Sequence, residues 1–298
     1  MSTEEKISLT RREFFKETAS GALGAALGLG AEFLSSPAAA AKPRLIVWAC
    51  GGLAEALNEL NRVFERKFNC RIFFTSAAAG YLTKALAHHY RGPIDVFAPR
   101  TATTNPEYLV KYGKMKSDFR LFCVEEYVVI TPRNNPAGIR KVKDLGRAGV
   151  RLAFPPKAAI PNSKCVLEIV EAAGVKEQFL RNVVVQTDCP RKFLRDIVRG
   201  KVHAAIVERR LSLLPLTRGR VQVIPIEPEI MYAGKRCKEK PPFTIGLMTA
   251  SRNPELARKY IAFTLSEVAR PIMEKHGFVH VKSPQMKLYR RLLGLRKL

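Results

Sequence analysis

Short apolar runs alternate with helix-patterned segments along almost the whole chain, and this alternation restricts the fold more than any other feature. The first instance is Leu-Ile-Val-Trp-Ala at Leu45–Ala49, a run suited to a buried strand. It turns at Cys50-Gly51-Gly52 into a segment that places Leu53, Leu57, Leu60 and Phe64 on one helical face. The apolar run Arg71–Phe74 precedes another helical pattern beginning near Tyr81, and Ile94–Ala98 follows it. Parallel neighbours need long crossovers that lay helices on the sheet faces, so a strand-helix-strand rhythm predicts a mainly parallel sheet flanked by helices. A second series predicts one long strand over 121–132, a short one over 150–155, a helix ended by Gly174 and a strand over 182–187. A helix ended by Gly200 and strands over 202–208 and 221–226 complete it. A charged loop at 233–242, a strand at 243–249 and one long helix over 253–278 close the pattern, which fits two α/β lobes.

Residues 1–41 stand outside this rhythm. Thr10-Arg11-Arg12-Glu13-Phe14-Phe15-Lys16 matches the twin-arginine export consensus, followed by a weakly apolar Gly/Ala-rich stretch and small residues at Ala38–Ala41 suited to cleavage. The glycines between Gly21 and Gly30 argue against a stable helix of the folded protein. The segment is read as a signal peptide, which makes the protein exported, periplasmic or extracytoplasmic. It holds four basic and five acidic side chains, so the remainder carries 47 basic against 21 acidic, a net +26. That sign suits an anionic ligand, an anionic membrane face or nucleic acid. Export and the dispersal of the basic residues, without interleaved stacking aromatics, argue against nucleic acid. No later segment has the roughly 18 uncharged apolar residues of a membrane span.

The chain holds no GxSxG, HExxH, P-loop or dinucleotide fingerprint and no CxxC pair, so neither an enzyme nor a zinc module is indicated. Adjacent His88 and His89 point apart on a helix and are not expected to share a metal. The C-terminal segment from Ser283 combines leucines with cations. It suits a packed final helix or contact with an acidic membrane or partner.

The order of these segments resembles the type II extracytoplasmic substrate-binding proteins of ABC importers, and within them the molybdate/tungstate-binding branch. The similarity covers nearly all of residues 43–280. The stretch 45–86 resembles that branch's opening strand, ligand loop, helix and second ligand loop, and Gly92-Pro93-Ile94-Asp95-Val96-Phe97-Ala98 its Asp-Val-Phe strand. Residues 126–145 resemble its crossover, 203–212 its late strand, and the stretch ending at Gly277-Phe278 its closing helices. The resemblance implies two lobes, one of residues 43–124 plus 243–298 and one of 125–242, joined by crossing strands near Phe122–Ile130 and Phe243–Met248. A ligand closes between them. It also implies a monomer that delivers a small anion to a membrane permease, with no cofactor or catalytic residue.

In such a fold several turns face the cleft. Those at Cys50-Gly51-Gly52, Ala78-Ala79-Gly80, Asn162-Ser163 and Asp188-Cys189 are candidates, because unpaired N–H groups at helix starts bind anions and small residues let the backbone approach. Gly51-Gly52 also suits a plain tight turn, and Asn162, Ser163 and Asp188 plain N-caps. Arg100 ends a strand at the crevice, where a guanidinium binds an oxyanion through two parallel hydrogen bonds. Lys164, Arg191 and Arg209 border the other loops. The chain departs from the branch in two ways. The serines of its first two loops are replaced by Gly52 and by Ala78, Ala79 or Gly80, and the late-strand tyrosine by Glu208, which repels a dianion unless protonated or turned aside. The expected ligand is therefore molybdate, tungstate or another oxyanion. A second reading is a thiophilic metal or sulfur compound held by Cys50, Cys165 and Cys189, with small buried hydrophobes or a disulfide as the plain alternative. Cys70, Cys123 and Cys237 are read as structural or exposed.

Overall fold

The structure, a computed structural model, describes residues 41–158 and 162–295, so the twin-arginine segment and its cleavage region through residue 40 lie outside the described residues. The first lobe begins with β1 (Arg44–Cys50), α1 (Ala54–Phe68), β2 (Arg71–Ala77), α2 (Ala79–Lys84) and β3 (Val96–Ala98). It continues through α3 (Thr104–Lys111) and β4 (Arg120–Glu125). Leu57, Leu60 and Phe64 give α1 its buried stripe, and Asn69 in the left-handed region ends it. Phe64 packs edge-on against Tyr260, whose hydroxyl donates to the side-chain oxygen of buried Asn61 at 2.6 Å.

The second lobe runs from β5 (Tyr127–Pro132) and β6 (Leu152–Phe154) through α4 (Asn162–Ala172), α5 (Lys176–Arg181) and β7 (Val183–Gln186). It then takes α6 (Leu194–Val198), β8 (Ala205–Glu208), β9 (Val221–Pro225), α7 (Pro228–Met231) and α8 (Lys235–Glu239). The chain returns through β10 (Pro242–Leu247), α9 (Pro254–Thr264), α10 (Arg270–Lys275), β11 (Phe278–His280) and α11 (Met286–Leu292).

The first sheet has the order β11-β4-β10-β3-β1-β2. It is parallel only across β2, β1 and β3; the pairings of β10 with β3 and β4, and of β11 with β4, are antiparallel. In the second lobe β5 lies antiparallel between β8 and β9, whereas β6 and β7 are parallel. Both lobes are thus α/β as expected, but neither is mainly parallel: the first sheet is mixed, and the second lobe has a wholly antiparallel three-stranded sheet beside a parallel pair. The strands at the crossing, β4, β10 and β5, enter from the other lobe or return to it and so meet their neighbours head to tail.

Three elements differ from the pattern read in the sequence. The expected long strand over 121–132 is two, β4 and β5, interrupted at Glu126. The charged loop contains α8, tied down because the Glu168 carboxylate accepts from the backbone N–H groups of Arg236 and Cys237. The long final helix is broken between Thr264 and Arg270, where Pro271 starts α10 at a position that needs no N–H.

Two principal cores form, and the second also takes in Ala102, Leu121, Val124 and Val279 of the first lobe. Leu45, Val47, Leu57, Phe64, Phe122, Phe243 and Tyr260 belong to the first, and Tyr127, Phe154, Cys165, Phe179, Ile206 and Tyr232 to the second. Helix α11 crosses the expected division: Met286, Tyr289 and Leu293 join the second lobe's core, with Tyr289 packed edge-on to Tyr232 at 5.5 Å. It is a packed final helix. Among the described residues no helix is long and apolar enough to cross a membrane.

Candidate functional site

A cavity of about 460 Å³ opens between the lobes at the C-terminal ends of β1, β2 and β3. Cys50, Gly51 and Gly52 form one wall and Ala78, Ala79 and Gly80 another, as the sequence suggested. Gly51–Leu53 is a turn of 3-10 helix running straight into α1, and no side chain caps it. The N–H groups of such a first turn have no acceptor within the helix and point outward. The backbone must come close here, because a Cβ on Gly52 would lie 3.3 Å from Arg100 Nη2 and 3.6 Å from Arg210 Nε.

Arg100 and Glu208, both expected, line the cavity, together with Arg210, Lys240, Tyr81, Thr101 and Asn105, which were not expected. The floor is a buried quartet of charges. Arg100 Nη2 donates to Glu125 and, at 3.0 Å, to Glu208. Arg210 donates through Nε to Glu125 at 3.0 Å and through Nη2 to Glu208. Glu125 and Glu208 are 0% and 1% exposed. The Arg100 guanidinium also stacks on Phe243, 4.8 Å from the ring centre. Each arginine retains one buried nitrogen, Nη1, with no hydrogen-bond partner.

The local backbone is arranged around Arg100. Thr101 sits at φ 111°, a strained value for a β-branched residue, and is held there by its N–H to the Pro242 carbonyl. Asn105 donates from Nδ2 to the Arg100 carbonyl. The strand preceding them is anchored by Asp95, whose buried carboxylate accepts from the backbone of Ile46, Arg252 and Asn253 and from the Ser251 hydroxyl.

Ser163, Asp188 and Cys189 do not line the cavity. The Ser163 hydroxyl donates to the Ala158 carbonyl, and Asn162 begins α4 beside the undescribed stretch 159–161. Asp188 is exposed and paired with Lys192, and Cys189 is half-buried ahead of the 3-10 turn Pro190–Phe193. The second lobe instead supplies Glu208, Arg210 and Lys240. Arg191 is placed near the site, since it reaches across to Glu55 in the first turn of α1 at 2.7 Å. Arg209 turns away to Glu126.

The proposed cysteine cluster does not form. Cys50 is at the cavity, whereas Cys165 is sealed in the second core, where the Cys237 thiol donates to its carbonyl. All six cysteines are unpaired, and among the described residues no group of His, Cys, Asp and Glu is placed to hold a metal ion.

The family model of the bacterial extracellular solute-binding proteins matches residues 45–279, most of the chain. The chain belongs to this family. Among solute-binding relatives, the molybdate-binding protein ModA of Mycobacterium tuberculosis (strain ATCC 25618 / H37Rv) is 21% identical over 234 residues, 78% of this chain and 84% of the relative. The substrate-binding domain of a molybdenum ABC transporter from Clostridium difficile superposes with a TM-score of 0.68 at 18% identity, covering 81% of this chain and all of that one. The sulfate-binding protein SubI from Mycobacterium tuberculosis H37Rv gives 0.60 at 15% identity, over 84% and 91% of the two chains. At these identities the structural likenesses establish the fold.

The electrostatics of this solute-binding cleft follow from its burial. Desolvation, with Glu208 close by, pushes the Glu125 carboxyl up to about 7 despite Arg100 and Arg210. Glu208 is desolvated too, but Arg210 and Arg100 hold it below the usual carboxylate range. Desolvation also lowers Lys240. Below neutrality the quartet therefore holds one proton and a net positive charge.

Proposed function

We propose that this member of the solute-binding family captures a tetrahedral oxyanion of the molybdate, tungstate and sulfate class and presents it to an ABC permease. In this reading it acts as a monomer, without a cofactor, after export through the twin-arginine pathway. One observation carries the ligand class: two arginines, Arg100 and Arg210, line one cavity beside an uncapped, glycine-lined helix start, and among the described residues no other cation lies between them and that turn. Backbone N–H groups and guanidiniums converging on one cavity are the donors an oxyanion needs, and the low-dielectric floor strengthens each contact. The molybdate- and sulfate-binding names of the relatives agree with this class. The absence of catalytic motifs and the hinge-like arrangement of two cores suit binding without chemistry.

Calorimetric titration of the exported chain, with its first 41 residues removed, tests the reading with molybdate, tungstate, sulfate and chloride. The three oxyanions are expected to bind with one-to-one stoichiometry and to raise the melting temperature, and chloride to do neither. Absence of binding by all three overturns it.

A further inference from the structure

The cavity floor poses an electrostatic difficulty. Any anion that enters the cavity beside Arg100 and Arg210 comes to rest against Glu208, which lines the same cavity, with Glu125 bonded to both arginines behind it. Both carboxylates are already bonded to those guanidiniums, so the two arginines cannot by themselves neutralise an arriving dianion as well. Placing three like-signed groups in a buried space is disfavoured unless one of them loses its charge.

We propose that oxyanion capture is coupled to proton uptake: the anion replaces a carboxylate as partner of the arginine pair, and the Glu125–Glu208 pair takes up one proton from solvent. This rests on the oxyanion reading above. The step is an exchange in which the anion gains guanidinium hydrogen bonds, one carboxylate becomes a carboxylic acid, and the acid's new O–H donates within the pair. No covalent bond other than this O–H forms or breaks.

The surroundings of Glu125 support this assignment. Arg100 faces it from the end of β3, and Glu208 and Arg210 from the end of β8 and the turn that follows. On its own strand and the next, Cys123 and Tyr127 are buried neutral groups, both pushed up chiefly by desolvation. Tyr232 donates to the Glu125 carbonyl, and β11 offers Phe278, which carries no charge. Beyond this shell, Lys240 lines the cavity and Glu55 approaches Arg210. Within that set the Glu125 carboxyl, pushed up to about 7, is the group placed to change state near neutrality.

The sign follows. Above about pH 7 the free pair has lost its proton, and a bound dianion raises the pair's affinity for one. Binding then takes up as much as one proton per anion, and affinity falls by up to about tenfold per pH unit. Below about pH 6 both states hold the proton and the dependence vanishes.

Calorimetry with molybdate and with sulfate, whose own protonation lies far below neutrality, measures the uptake directly when repeated at pH 8 in buffers of different ionisation heat. The expected result is an apparent enthalpy that varies with the buffer, corresponding to between half a proton and one proton per anion. In Glu125→Gln, uptake is lost, and affinity at pH 8 rises toward that of the unchanged protein at pH 6. Binding of either anion with identical heats in all buffers overturns the coupling and leaves the oxyanion reading standing. No heat with either anion at any pH overturns both. Uptake that survives in both Glu125→Gln and Glu208→Gln places the proton outside the carboxylate pair and also overturns the proposal. If Glu125→Gln does not fold, the buffer series on the unchanged chain decides alone.

Discussion

Arg100 holds two fully buried carboxylates, and its loss leaves them facing one guanidinium. Arg100→Met is therefore expected to destabilise the fold by about 3–5 kcal/mol at pH 8, as when one partner of a buried ion pair is removed. The cost is expected to be smaller at pH 6, where one carboxylate is already neutral; urea denaturation at the two values measures both. A second prediction concerns Glu125. Its carboxyl is held above its unfolded value, so between about pH 4.5 and 7 the folded chain retains a proton that the unfolded chain has released. Stability contributed by this group is full below that window and declines as pH rises through it. Relative to the unchanged chain, Glu125→Gln should flatten the decline in melting temperature across the same range. Arg100 was legible in the sequence because strand ends meet the crevice in this class of sheet, and Glu208 because it replaces the late-strand tyrosine of the family the chain resembles. Glu125 and Arg210 were not: Glu125 reads as one polar residue in an apolar run, and Arg210 as one of many surface cations. Only long-range pairing, 25 positions for Arg100 and 85 for Arg210, gives either a role.

Elements were legible where hydrophobic period and turn chemistry agreed, as in β1 and α1 or the helices ended by Gly174 and Gly200, both at φ 71°. They were misread where a side chain far away decides the local structure. Five-residue α8 has too few turns to show a period, and Glu168 on α4 makes it a helix by occupying its first N–H groups. The split between β4 and β5 is equally hidden, since Glu125-Glu126 looks like an extended continuation until Glu125 turns inward and Glu126 meets Arg209 and Tyr289. Asp95 is the strongest such tie, joining β1, β3 and the segment before α9 through four hydrogen bonds. Asp95→Asn keeps the shape but exchanges an acceptor for a donor facing backbone N–H groups. It should cost about 2–3 kcal/mol, the scale of a lost charged hydrogen bond plus an unsatisfied donor, read as a shift of the denaturation midpoint with an unchanged slope.

For the whole molecule, lobes and crossing strands followed from segment order, but the second lobe's contribution to the cleft did not. The turn at Asp188 looks equivalent to those at Gly51 and Ala79 in sequence, yet the chain after β8 reaches the cavity instead. The turn after Asp188 serves the rim, where Arg191 bonds to Glu55 on the facing lobe, both half-exposed. An exposed pair of this kind contributes about 0.2–1 kcal/mol. Glu55→Gln should accordingly speed release of molybdate by about two- to fivefold in stopped-flow displacement, with little effect on its capture. The formal net charge of +25 acts on capture, drawing anions from a distance that shrinks as salt rises.

The burial of the sulfur atoms has a consequence for the life of the protein. Cys123, Cys165 and Cys237 are wholly buried and Cys70 nearly so, whereas Cys189 is partly open and Cys50 borders the cavity, so alkylation of the native chain should be confined to Cys189 and, more slowly, Cys50, and reach all six after unfolding. On the export route proposed above, the chain finishes folding among cytoplasmic reductants and then works where oxidants are plentiful. The thiols of Cys70, Cys123, Cys165 and Cys237, sealed inside two finished cores, would pass between those worlds unchanged. On that route the fold as it stands has no disulfide left to form after translocation.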